Sequence, residues 1–509
     1  MDRIDWTVHL PPGSDPAALD LLAAGSLPRA WAATLGADPA RPVLWEEHRG
    51  WVSAGDLDAA SRRVAGRFHR AGLRPGMRVL MSASTSVELV EAHLGALRLG
   101  LVVVPANRAY RQPEMAHLVD DAEPAAAVVD DAERAGWISE ASAGTTLVAG
   151  PEVALPDPPP GHQRGMELDA AESADPALIA YTSGTTGRPK GAVLSHANLL
   201  ATAEAVRLAW RWRASDRLVL ALPLFHLHGL GVGLHGTLLA GASALLLPRF
   251  DAGAVVGATR SHHATMFFGV PTMYARLAAL ATEAPEAAAA LGRLRLCVSG
   301  SAPLPPAVFD QFEAATGQRV LERYGMSETG MNVSNPHDGE RRPGTVGLPL
   351  PGVEVRLAPG TGEIFLRGPN VSGGYWRDPE ATEAAFTADG WFRSGDVGAH
   401  DPDGYLRIVG RAKELIITGG LNVYPREVED AILACPGVAE AAVVGRADPE
   451  WGEVVTAFVV RRGRARPTEG EILAHTAGVL AGFKRPRAVH FVDSLPRNPL
   501  GKLLRHELG

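Results

Sequence analysis

The chain has 509 residues, more than one hydrophobic core ordinarily holds, so two or more domains are expected. Hydrophobic residues make up 46% and charged residues 21%, the balance of a soluble globular protein, and a net charge of −8 argues against a nucleic-acid polyanion as the main partner. The two cysteines, Cys297 and Cys435, are too few and too far apart for a disulfide framework or a zinc cluster, which fits a reducing cytoplasm.

The opening MDRIDWTVHLPPGSD mixes acids with prolines and has no charged start leading into an apolar run, so no signal peptide is expected. No apolar run reaches membrane-spanning length. From residue 28 to about 170, helical patterns such as SAGDLDAASRRVAGRFHRAGL alternate with the short apolar runs RVLMSA, LVVVPAN and AAAVVD, the rhythm of an open α/β sheet. A proline-rich connector, VALPDPPPGHQRGMELDAAESADPA, follows. A second alternating unit has strands at RLVLALP, SALLLP, ATMFFGV and LRLCVSG. Short strands and Gly/Pro turns then occupy 344–410, and the last hundred residues read as a compact α+β module with helices at PREVEDAILAC and EGEILAHTAGVL. The expected fold is therefore α/β. A large N-terminal domain (1–411) of two α/β subdomains plus a β-rich subdomain precedes a small, mobile α+β domain (412–509).

The most informative stretch is YTSGTTGRPKGAVLSH, 181–196. It is not a Walker A loop, because Lys190 follows a proline and precedes a glycine instead of a Ser or Thr opening a helix. Its apolar flanks predict strand, loop, strand, with a helix beginning near Asn198. Glycines there let backbone N–H groups turn toward an anion, Ser183, Thr185 and Thr186 add hydroxyl donors, and Lys190 adds a point charge. Lysine is itself scarce: only residues 190, 413, 484 and 502 among 49 basic residues. Each is a candidate for work that needs a compact ammonium and not a planar fork.

Five stretches, YTSGTTGRPKG, LERYGMSETG, RSGDVG, GRAKELIITGGLNVYPREVE and PRNPLGK, resemble in order and spacing the adenylate-forming superfamily of acyl-CoA synthetases, peptide-synthetase adenylation domains and luciferases. The resemblance runs from about residue 28 to the C-terminus. It implies an enzyme that activates a small carboxylic acid with ATP and Mg2+ and passes the acyl group to coenzyme A. A carboxylate approaching a phosphate brings two anions together, so the chemistry needs positive charge and aligned donors.

By that resemblance Thr182, Ser183, Gly184, Thr185, Thr186, Gly187 and Lys190 hold the β- and γ-phosphates. Glu328 holds Mg2+, Ser327 approaches the α-phosphate and Tyr324 stacks on adenine, within a nucleotide-binding stretch that includes Glu322, Arg323, Gly325 and Met326. Ser301, Ala302 and Pro303 line the adenine side. Asp396 accepts from both ribose hydroxyls and Arg411 braces the ribose. Lys502 is the catalytic ammonium bridging substrate carboxylate and α-phosphate, His226 stands with the catalytic residues, Lys413 is the hinge, and Gly419 and Gly420 admit pantetheine. The acid is expected against His228, Gly229, Gly233, Val270, Gly300 and Met331.

The subfamily resembled most is the malonyl-CoA synthetases. Those enzymes carry an arginine on the helix after SGSAPL, where this chain reads PPAVFDQFEAATG; Asp310, Gln311 and Glu313 supply no positive charge there. Gly229, Gly233 and Gly236, on one face of an expected helix, allow either close helix packing or a groove for an alkyl chain. The expected substrate is accordingly a medium-chain fatty acid, with malonate or methylmalonate as the alternative. The chain ends at Gly509 without a carrier domain, which favours coenzyme A over a carrier protein as acceptor. A catalytically silent binding or regulatory protein is the alternative of another class, disfavoured by the full set Lys190, Glu328, Asp396 and Lys502.

Overall fold

The computed structural model describes residues 6–155, 165–182, 189–418, 421–449, 451–497 and 503–508, and divides into two compact units. The first comprises residues 1–354 and 366–392, the second 355–365 and 393–509.

The first unit contains two sheets. The six-stranded one runs in the order Leu147–Ala149, Ala126–Val129, Arg78–Ser82, Val102–Pro105, Pro176–Thr182, Lys190–Ser195. It is parallel until its last pair, which is antiparallel and joins Thr182 to Lys190 in register. The strand, loop, strand reading of 178–194 thus becomes a hairpin. The helix after it starts two residues earlier than the sequence suggests, at His196, because Ser195 both ends the strand and caps the helix. Its hydroxyl accepts from the Asn198 N–H while Asn198 Oδ1 accepts from the Ser195 N–H.

The nine-stranded sheet runs Leu348–Pro349, Gly330–Ser334, Leu321–Met326, Leu296–Ser299, Met266–Gly269, Arg217–Leu220, Ser243–Leu246, Pro42–Glu46, Gly50–Ser53. Its interior is parallel, and both edges are finished with antiparallel strands. Fully buried runs such as LCVS and MFFG are what a sheet covered on both faces requires. Phe267 packs on Tyr274 and Tyr274 on Phe312 at one face, while Phe268 meets Trp210 and Trp212 at the other.

The glycine-rich segment corrects one expectation. His228–Leu234 is a π-helical turn leading into the short α-helix His235–Leu239, and its glycine face is filled. A Cβ on Gly229 would fall 2.4 Å from the Pro223 carbonyl oxygen, one on Gly233 2.8 Å from Leu220 Cδ1, and one on Gly236 3.2 Å from the Trp212 ring. The glycines let this segment lie against its own sheet, so no alkyl groove runs along that face. Gly233→Leu is therefore expected to cost about 1–3 kcal/mol or more by overpacking, seen as a lower Tm with an unchanged ranking of acids by length. An unchanged Tm with selective loss of long acids would restore the groove.

The same unit buries several neutral imidazoles. His93 and His235 meet Nε2 to Nε2 at 3.0 Å, stacked at 5.2 Å between centroids, with Trp31 against His235. Burial holds His93 at about 3 and His9 and His196 at about 4, and pushes His235 well below its ordinary range. The folded chain refuses protons that the unfolded chain takes up below about pH 6.5, so stability is full above that pH and falls as pH drops toward 4. Each such group subtracts about 1.4 kcal/mol per pH unit in that window. The urea midpoint should decline steeply between pH 7 and 5; a flat profile would contradict neutral burial.

In the second unit, Phe392–His400 and Leu406–Arg411 pair antiparallel. The long hairpin Val438–Asp448 and Gly452–Arg461 carries Ala488–Phe491 parallel on its second strand. Helices Pro425–Leu433 and Glu469–Val479 close a core of Ile416, Val428, Ile432, Val443, Val455, Val459 and Ile472. Both cysteines are free and buried. Among the described residues no helix is long and apolar enough to cross a membrane.

Candidate active site

Strands Leu321–Met326 and Gly330–Ser334 pair with Met326 opposite Gly330, which leaves Ser327, Glu328 and Thr329 at the hairpin tip. Gly330 is required there: its φ is +57°, and a Cβ would fall 2.1 Å from Thr202 Oγ1. Gly325 is equally tight, with a Cβ position 2.2 Å from the Gly330 carbonyl oxygen. The tip is fixed from behind by buried amides. Asn370 Nδ2 donates to the Thr329 carbonyl (2.6 Å) and to Asn332 Oδ1 (2.9 Å), Asn332 Nδ2 donates to Thr329 Oγ1 (2.7 Å), and the Ser372 N–H donates to the Glu328 carbonyl (2.8 Å).

This frame presents the Glu328 carboxylate, 8% exposed, to two hydroxyls. Thr182 Oγ1 and the Tyr375 hydroxyl each donate to Oε1 at 3.3 Å. Burial, and then the Glu328 charge, push the Tyr375 phenol well above its ordinary range, so it remains a donor. Lys190 Nζ lies 3.5 Å from Asp378 Oδ2 and 5.8 Å from the Tyr375 ring centroid. Thr182 and Lys190 of one motif and Glu328 of another are thus brought together. Tyr375 and Asp378 were not singled out by the sequence reading; the signal available was the GGYWRDPE turn, whose Gly-Gly-aromatic run marks a close approach of chain.

The turn after strand Leu296–Ser299 is tied to the next strand by the Leu304 N–H, which donates to Glu322 Oε1 at 2.9 Å. Ser301 has φ +70°, an unusual backbone for a non-glycine residue and one often kept at working sites. Its Oγ lies 3.4 Å from Nδ1 of His228, whose ring stacks near Phe268. Burial holds His226 at about 4 and His228 well below its ordinary value, so both are neutral imidazoles. Ala302 is half-buried and Pro303 exposed; Tyr324, Met326, Ser327 and Val270 are half-buried, and Met331 is buried. Successive strand residues alternate faces, so Glu322 and Tyr324 share one while Arg323 takes the other, beside Gly300 and His228.

Within the second unit, Asp396 lies opposite Arg411 in the antiparallel pair, and Arg411 Nε is 3.0 Å from Asp396 Oδ1. Asp396 is 5% exposed, and its N–H donates to Ser394 Oγ at 3.1 Å. Lys413 sits in the 3-10 turn Ala412–Glu414. Ser183, Gly184, Thr185, Thr186, Gly187, Gly419, Gly420 and Lys502 lie outside the described residues.

A buried carboxylate held by two hydroxyls, with an ammonium nearby, suits a nucleotide-triphosphate chemistry. Comparison with known proteins identifies it. The chain matches the AMP-binding enzyme family over residues 31–376 and the AMP-binding enzyme C-terminal domain over 427–502. The chain belongs to this family. It is 37% identical to a feruloyl-CoA synthase of an Amycolatopsis species over 93% of this chain and 98% of that one. It is also 37% identical to a sulfoacetate–CoA ligase of Cupriavidus necator, over 92% and 94%. The crystal structure of ATP-bound MatB from Rhodopseudomonas palustris superposes with a TM-score of 0.87 at 40% identity, over 95% of this chain and 98% of that one. The protein is an AMP-forming acid–thiol ligase that uses ATP, Mg2+ and coenzyme A.

The described residues fit Mg2+. Among the described residues no cluster of three or more His, Cys, Asp or Glu side chains is placed to cage a metal ion. One buried carboxylate with neighbouring hydroxyl oxygens is the arrangement expected where Mg2+ is held largely by water and substrate phosphate.

Proposed function

We propose that the protein activates a short carboxylic acid, joining it to AMP with release of pyrophosphate and then transferring the acyl group to the thiol of coenzyme A with release of AMP. In this reading ATP supplies the adenylyl group and Mg2+ offsets phosphate charge. Glu328 holds the metal side of the site, with Thr182 and Tyr375 fixing its carboxylate. Lys190 draws the departing pyrophosphate, releasing Asp378 to do so. Asp396 and Arg411 hold the ribose, and Lys502 supplies the ammonium between carboxylate and α-phosphate. His226 and His228, neutral and close-packed, shape the acid's surroundings and carry no charge of their own.

The observation that carries the short-acid reading is the filled face of Gly229, Gly233 and Gly236. The case for a medium-chain fatty acid rests on that face being open, and closing it leaves the alkyl tail without a channel. The test is CoA-dependent AMP release across straight-chain acids from acetate to decanoate. Activity concentrated at four carbons or fewer is expected; a maximum at octanoate would overturn the reading.

A further inference from the structure

The helix Gln112–Ala122 lies outside the five motif stretches, yet it holds both strands of the hairpin that joins Thr182 to Lys190. Residues four apart on a helix share a face, and His117 and Asp121 are such a pair. His117 Nε2–H donates at 3.0 Å to the carbonyl of Pro189, the residue before Lys190. Asp121 Oδ2 accepts from the hydroxyl of Tyr181, the residue before Thr182, and the His117 and Tyr181 rings meet edge to face at 6.1 Å. Burial, and then the Asp121 hydrogen bond, push the Tyr181 phenol well above its ordinary range, so it stays a donor.

The strand register brings these ties to one place. Tyr181 stands opposite Gly191, and a Cβ on Gly191 would fall 2.5 Å from Ile179 Cγ2, 3.2 Å from Tyr181 Cζ and 3.4 Å from Trp376 Cβ. Glycine there lets the neighbouring side chains close over the strand. Trp376 completes the frame: its N–H donates to the Gly191 carbonyl at 2.7 Å and its Nε1–H to the Asp121 carbonyl at 3.1 Å. One helix therefore fixes the strand ending at Thr182, the strand starting at Lys190 and the turn that carries Tyr375 and Asp378. Its core packing falls to Met115, Leu118, Val119 and Ala122, while the half-buried His117 and Asp121 spend their polar atoms on the hairpin.

We infer that His117, with Asp121 beside it, is a positioning residue that sets where Lys190 meets the pyrophosphate end of ATP. A lysine carries its charge on a flexible four-carbon stem, so the place of the ammonium is only as definite as the backbone it leaves. That backbone starts one residue from the His117 tie and lies opposite Thr182, one residue from the Tyr181 tie. A looser strand end spreads the ammonium over more positions and weakens its hold on a triphosphate, while contacts to the nucleoside are unaffected. The inference rests on the reading that Lys190 serves the β- and γ-phosphates, and adds what fixes it there.

The experiment measures equilibrium binding of MgATP and of AMP, since AMP offers no β- or γ-phosphate. His117→Leu removes the donor, and His117→Gln returns an amide N–H close to where Nε2 stood. Tyr181→Phe opens the other tie without altering the helix. His117→Leu and Tyr181→Phe should each weaken MgATP by about three- to tenfold, the value of one partly buried hydrogen bond, and leave AMP within about twofold. His117→Gln should hold MgATP within about twofold of wild type. Lys190→Ala should lose about tenfold or more on MgATP, and on that background His117→Leu should cost nothing further, because it acts through the missing ammonium. Equal weakening of MgATP and AMP, or full additivity with Lys190→Ala, would assign His117 a merely structural role and overturn the inference. Normal MgATP binding by His117→Leu, with Lys190→Ala impaired, would overturn the brace and leave the Lys190 reading standing. Normal binding by Lys190→Ala would overturn both. Should His117→Leu fail to fold, Tyr181→Phe and its coupling to Lys190→Ala decide by themselves.

Discussion

Glu328→Gln is expected to lower ATP–pyrophosphate exchange by about two to three orders of magnitude, the size of effect seen when one preorganised electrostatic partner is removed from a reacting phosphate or acyl group. Glutamine keeps the volume of the side chain and an oxygen able to accept from Thr182 and Tyr375, so the hairpin tip held by Asn332 and Asn370 should remain in place. What changes is the charge. A metal held by one carboxylate plus substrate phosphate loses its protein anchor, and the Mg2+ concentration needed for half-maximal exchange should rise. Thioester formation from a supplied acyl-adenylate has no triphosphate to neutralise and should stay within severalfold of wild type. An unchanged Mg2+ dependence, or equal losses in the two half-reactions, would remove Glu328 from the metal.

That prediction could be framed from sequence because LERYGMSETG resembles a motif of the adenylate-forming superfamily, while the hairpin that presents Glu328 emerges only from the pairing of the two strands. The strands of the two sheets were readable from pattern. Doubly covered parallel strands are short, continuous apolar runs between turns, as in LVVVPAN and LRLCVSG. The three glycines at 229–236 were ambiguous in kind, since a side chain is absent both where a ligand must fit and where a backbone must approach. Spacing cannot separate the two, and only the distances to Pro223 and Leu220 do. Tyr375 and Asp378 escaped notice because their partners, Glu328 and Lys190, are distant in the chain and the surrounding turn has no acid–base pattern. Arg323 was visible as a letter within LERYGMSETG but not as a direction: a strand residue's face depends on register, and the register comes from pairing with Leu296–Ser299 and Gly330–Ser334.

Lys502→Ala is expected to cut acyl-adenylate formation by about three orders of magnitude while sparing conversion of a supplied acyl-adenylate to the thioester. The proposed role explains the asymmetry. The ammonium neutralises charge that exists only while a carboxylate meets a phosphate, so removing it withdraws stabilisation from one transition state and not from the other. Lys502→Arg separates position from charge. In a chain where only four of 49 basic residues are lysine, the retention of a lysine in PRNPLGK points to a task for a compact point charge, which a planar fork on a longer stem would not place equally. The arginine variant should therefore recover only part of the adenylation rate. Full recovery would reduce the requirement to net charge. Equal loss of both half-reactions in the alanine variant would place Lys502 outside the adenylation chemistry and leave Lys190 as the ammonium to test next.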